Sequence, residues 1–203
     1  ERRQFFLEGN EIYTMQAWDG LQPFFSRRIG LDEQGNPIPV DVGARFTNRT
    51  SKGNLGALAV RQRAQGDTPQ ANIGVFRYSR NLSSGSSRIG GMGTIRYDEA
   101  DITGESNLNT TVTVDGLYRP NQKFNAFWIL SGSQNSGKLD NRGWSGALWA
   151  YYETNDIYAG HVQTVISDKY DPRSGFVDAT NYILTSPAFS LKLRPKWLPS
   201  KWI

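Results

Sequence analysis

The sequence contains no cysteine and a single histidine, His161, in 203 residues. Without thiols there is no disulfide framework, no thiolate metal site and no cysteine nucleophile, and a lone imidazole completes no ordinary zinc site. No run approaches eighteen consecutive apolar residues. That excludes a membrane-spanning helix but not a membrane-spanning barrel, whose strands need only about 9 to 11 alternating residues. GxSxG, HExxH and P-loop patterns are all missing. Charge of one sign is lacking too. The 23 Lys and Arg face 19 Asp and Glu, a net +4 that is too balanced to argue for nucleic acid. The chain opens at Glu1 without an initiator Met, a basic n-region or an apolar h-region, and it reads as an internal piece of a longer protein. No catalytic, cofactor-binding or metal-ligating residue is nominated.

What the chain does have is 10 Phe, 9 Tyr, 6 Trp and 21 Gly. That mixture favours strands and turns, and it supplies enough apolar surface to argue against disorder. From Ile38 onward nine strand-length segments follow one another: 38–49, 54–63, 71–80, 87–97, 107–117, 122–133, 142–153, 156–167 and 183–193. Most have ten to twelve residues, about twice the length of an ordinary globular strand. Alternation is clearest in 107–117, where Leu108, Thr110, Val112 and Val114 interleave with Asn109, Thr111, Thr113 and Asp115. In 54–63 it is less decisive, since Leu58 and Val60 share one face while Leu55, Ala57 and Ala59 share the other with Arg61.

The links between these segments run 4, 7, 6, 9, 4, 8, 2 and 15 residues, so every odd link is shorter than its neighbours. An antiparallel meander with short turns on one side and long loops on the other is the pattern of an outer-membrane barrel. Phe124, Tyr152 and Tyr158 beside short links, and Tyr97 and Trp144 beside long ones, suit two interfacial girdles. The expected fold is therefore all-β, an antiparallel up-and-down transmembrane β-barrel. Nine strands cannot close a standard single-chain bacterial barrel, which uses an even number, so the chain is read as a fragment of a larger one. A soluble β-sandwich or lipocalin-like barrel is the competing reading. Residues 1–37 lack long alternation and form a lead-in that packs in the lumen or at the periplasmic rim; residues 38–203 form the barrel portion.

Within the lead-in, Arg3-Gln4-Phe5-Phe6-Leu7-Glu8-Gly9, then Phe24-Phe25-Ser26-Arg27-Arg28-Ile29-Gly30 and Pro37-Ile38-Pro39-Val40, resemble a bacterial family of unknown function. The likeness continues at Gly43-Ala44-Arg45-Phe46-Thr47 and, more loosely, at Ser174-Gly175-Phe176-Val177. Members carry a domain C-terminal to a family 9 carbohydrate-binding module, and usually have Arg-Pro where this chain has Arg3-Gln4. The resemblance covers the first 50 residues well and the later strands in character only. It implies a secreted precursor of Bacteroidetes or related bacteria, with a periplasmic sugar-binding-like module and a large outer-membrane barrel.

Four arginines, Arg45, Arg61, Arg77 and Arg96, fall one per strand in four successive strands. In register they form a basic lumenal ladder able to select anionic solutes; alternatively, they pair with carboxylates such as Asp41 and Asp115. Glu8, Arg27 and Arg28 could lock the lead-in to the wall by bidentate pairing. The loop from Asp98 to Glu105 holds four carboxylates without the spacing of a calcium loop. These readings lead to a noncatalytic outer-membrane barrel domain that handles or transports a solute, with a saccharide as the solute the resemblance implies. Its partners are the outer-membrane bilayer, the solute and other outer-membrane proteins, with no nucleic acid. The alternatives are a structural or assembly subunit of an outer-membrane complex, a carbohydrate-active enzyme, and a soluble carbohydrate-binding β-sandwich.

Overall fold

The computed structural model describes residues 10–15, 20–32, 35–82, 86–101, 103–137 and 139–194. Nine long strands form one antiparallel sheet in chain order: β2 (Val40–Thr50), β3 (Gly53–Gln62), β4 (Ala71–Asn81), β5 (Arg88–Asp98), β6 (Asn107–Tyr118), β7 (Phe124–Gly137), β8 (Asn141–Glu153), β9 (Ile157–Ile166) and β11 (Tyr182–Leu191). Two short strands, β1 (Leu21–Gln22) and β10 (Phe176–Val177), pair with each other. Two 3-10 turns, Asn10–Ile12 and Ser26–Arg28, lie in the lead-in. The up-and-down all-β expectation holds with each strand in place. Closure does not: among the described residues β2 and β11 are the two edges of an open sheet and do not pair with one another.

One end of the sheet carries the links 51–52, 82–87, 119–123 and 154–156, and is called here the hairpin end. Side chains set these turns: Thr50 Oγ1 bonds both the N–H and the carbonyl of Gly53, Asn121 Oδ1 accepts from the N–H groups of Lys123 and Phe124, and Thr154 Oγ1 accepts from that of Ile157. The opposite, loop end carries 63–70, 99–106, 138–140 and 167–181. The expected eight-residue link 134–141 is mostly strand, because β7 runs on to Gly137 and β8 begins at Asn141. The alternation of short and long links therefore fails at this position. Asn135, in that extension, donates to Asn141 at 2.8 Å and accepts from Asn109 at 3.0 Å, so side-chain amides continue the ladder through turn-like composition.

The lead-in crosses one face of the sheet. At the hairpin end Glu11 pairs with Arg49 at 2.5 Å. At the loop end Ile38 N–H donates to Gly30 before the chain turns into β2. On the way Ile12, Tyr13, Met15, Leu21, Phe24 and Ile29 pack against Leu58, Val60, Ile73, Val75 and Met92 of β3–β5.

Candidate functional site

Strand alternation gives the sheet a bare face and a covered face, the latter apolar under the lead-in at β3–β5 and largely polar across β6 and β7. On the covered face of β4–β9 sit Arg77, Thr94, Asn109, Thr111, Thr113, Asp115, Ser131, Ser133, Asn135, Ser145 and Thr164, all buried. A polar group in this position needs partners, and the 167–181 loop supplies many of them by folding back over β6–β8. Tyr170 donates to Ser131 Oγ at 2.8 Å, which also bonds Thr113 Oγ1 at 2.8 Å. Asp171 N–H donates to Ser133, while Asn109 donates to the Asp171 carbonyl and accepts from Arg173 N–H. Gly143 permits this close approach, since a Cβ there would stand 2.1 Å from the Tyr170 nitrogen. Burial pushes the Tyr170 phenol above its ordinary pKa, with its bond to Ser131 opposing the shift. Tyr13 shifts the same way through burial, opposed by the charge of Arg45.

The four ladder arginines do not share one environment. Arg77 is buried and pairs with Asp115, and Arg96 donates to Asp98 at 2.7 Å. Arg45 is half-buried on the same face. Arg61, which is in register with Val42 and Asn72, falls on the bare face and donates to Gln70 at 2.9 Å. Asp41 bonds Arg63 instead of any ladder member. Of the lead-in trio, Glu8 lies outside the described residues, Arg27 is exposed, and Arg28 donates to the Gly175 carbonyl at 2.7 Å, tying the lead-in to the returning loop. The 98–105 carboxylates disperse: Asp98 goes to Arg96, Glu99 to Gln70, and Asp101 to Thr103. Among the described residues no three Asp, Glu or His side chains converge as metal ligands. At the loop-end mouth, Arg28, Arg96 and Arg173 face Asp32, Asp67 and Asp98 around a cleft of about 560 Å³.

The bare face has a different composition. Phe46, Phe76, Ile95, Val112, Leu130 and Phe189 are between 49% and 72% exposed, and nothing described packs on them. Register also puts Leu108, Trp128 and Leu148 on this face. Tyr97 and Trp144 stand near its loop end and Tyr118, Phe124 and Tyr152 near its hairpin end. Tyr158 belongs to the covered face instead, stacked on Tyr151 at 6.2 Å. His161 lies on the bare face between Ala150 and Pro187, with no nucleophile or carboxylate beside it in register. Asp41 is bulged out of register at the loop-end rim. That residue aside, no carboxylate occupies a bare-face position of the nine strands, and the charges there are Arg61 and Arg142 at the loop end and Arg80 at the hairpin end. No family model matches the chain, and no curated protein or solved structure matches it either.

Proposed function

We propose that this sheet is part of the wall of a noncatalytic outer-membrane β-barrel, with its bare face against lipid and its covered face towards the lumen. One observation carries the reading: the exposed face is an apolar band between aromatic ends, while the opposite face buries Arg, Asp, Asn, Ser and Thr beside the apolar patch under the lead-in. A water-soluble sheet keeps its exposed face polar, whereas a transmembrane barrel needs an outward apolar band flanked by aromatic girdles. The strands, of 10 to 14 residues, are long enough to cross a bilayer at a tilt. Open edges are not tolerated in lipid, so β2 and β11 require further strands to complete the wall.

The lumenal side is occupied by the lead-in and the returning loop, which favours a plugged, structural role over an open pore. Solute passage requires the lead-in to move, and the saccharide component is supported by the resemblance of the lead-in alone. Spin labels at Val112 and Ser186 of vesicle-reconstituted protein test the wall. Val112 is expected to be reached by lipid-dissolved oxygen and Ser186 by a water-soluble relaxant. Equal access of the aqueous reagent to both would reject the membrane assignment.

A further inference from the structure

Beyond the barrel reading, and resting on it, the geometry points to a binding site for one anionic, phosphate-bearing lipid on the bare face of β2–β5. Register builds it in rows. The row nearest the loop end is Val42, Arg61, Asn72 and Tyr97, each the partner of the next across four strands. Two residues deeper comes Ala44, Ala59, Gly74 and Ile95, and below that Phe46, Ala57, Phe76 and Gly93. The middle row is hollow because its centre has only the methyl of Ala59 and the bare Gly74, with Ile95 leaning so close over Gly74 that a Cβ there would meet it at 3.0 Å. Together the upper two rows enclose a groove of about 430 Å³ whose walls are mostly apolar and whose upper rim holds a cation.

Charge decides the occupant. A guanidinium and an exposed carboxamide stand side by side at the level where Tyr97 marks the interface; of the carboxylates at this rim, Asp41 is held by Arg63 and Glu99 by Gln70, which leaves Arg61 without a carboxylate partner of its own. Arg61 already donates to Gln70 through one nitrogen, and a guanidinium has five N–H groups. The arrangement therefore offers donors to a phosphate at the rim and an apolar trough to the acyl chain beneath it. A free phosphate would leave the trough exposed, and a zwitterionic headgroup would set its own cation against Arg61.

Native mass spectrometry of the protein extracted in mild detergent, with phosphatidylglycerol and phosphatidylcholine offered in equal amounts, reads the site directly. One retained phosphatidylglycerol is expected, with the preference falling about tenfold in Arg61→Gln, as befits a lost charge-assisted bond. It should be unchanged in Arg142→Gln, which removes the other loop-end cation of the bare face. Ala59→Leu should fill the groove and reduce retention of both lipids while leaving Arg61 in place. Equal retention in wild type and Arg61→Gln, or competition by inorganic phosphate at the affinity of the lipid, overturns the site. Failure of the protein to insert into vesicles of either lipid overturns the barrel reading and the site together, whereas insertion without lipid preference overturns the site alone.

Discussion

Arg77 on β4 and Asp115 on β6 are joined by two parallel hydrogen bonds of 2.5 and 2.8 Å that pass over the intervening strand β5. The bridge exists because β5 has Gly90 beneath it, where a Cβ would stand 2.8 Å from both terminal guanidinium nitrogens. Both side chains are essentially inaccessible to solvent, so each charge depends on the other for the solvation it has lost.

Breaking this pair from either side should be costly. Arg77→Gln or Asp115→Asn is expected to lower folding stability by about 3 to 5 kcal/mol, because one buried charge is left uncompensated. A double replacement by apolar residues of similar volume should cost much less than the sum of the single changes. Denaturant titration of the four proteins in detergent checks the cycle, and additivity would show that the pair is not coupled.

Gly90→Ala probes the same relation without altering charge. The methyl has to displace a guanidinium tip that Asp115 holds in place, and overpacking of this kind costs about 1 to 3 kcal/mol. In an Asp115→Asn background, with the guanidinium no longer pinned, the penalty should shrink.

The strands and their order were legible in the sequence because ten-residue alternation and turn residues are local signals. Three features were not. Arg61 looked like its neighbours on adjacent strands, but β3 is apolar on both faces, with Leu58 and Val60 under the lead-in and Ala57 and Ala59 outside, so composition could not fix its phase. The stretch 134–137 has the letters of a loop yet is held as strand by amide contacts from Asn135 to residues 26 positions before it and 36 after it. The cover over the sheet's inner face depends on such distant pairings throughout, including Arg28 with Gly175. Thr111, which alternation alone would leave lining an open lumen, is 1% exposed beneath that cover.

An alkaline titration should report on the cover. The Tyr170 phenol has a raised pKa in the folded state, chiefly through burial. Folding then favours its neutral form. The stabilisation is complete below the unfolded value of about 10 and is lost as pH rises through the higher folded value. Tyr170→Phe should therefore flatten the alkaline fall in stability measured by denaturant midpoints. It should also lower stability at neutral pH by about 1 kcal/mol, since the bond to Ser131 is lost.

Accessibility at the two ends of the sheet follows from the link geometry. Within the barrel reading, the hairpin end faces the periplasm and the loop end the exterior. A cysteine replacing Asp67, in the 63–70 loop, should react with an impermeant reagent on intact cells, and one replacing Asn155, in the 154–156 link, should react only after the outer membrane is permeabilised. Reaction of both on intact cells would contradict this orientation.

The sharpest separation of a membrane wall from a water-soluble sheet comes from one residue type placed on opposite faces. Leu130 on β7 and Ser186 on β11 are both exposed, the first on the bare face and the second on the covered face. In water, arginine at either position is a surface substitution, within about 0.5 kcal/mol of neutral. In a bilayer the positions differ: arginine near the midplane of the lipid face costs about 2 to 4 kcal/mol, while on the lumenal face it remains hydrated. Leu130→Arg should therefore lose stability in vesicle folding titrations while Ser186→Arg does not. Equal tolerance of both in vesicles would mean that the apolar face meets something other than lipid, and the barrel assignment would fall with it.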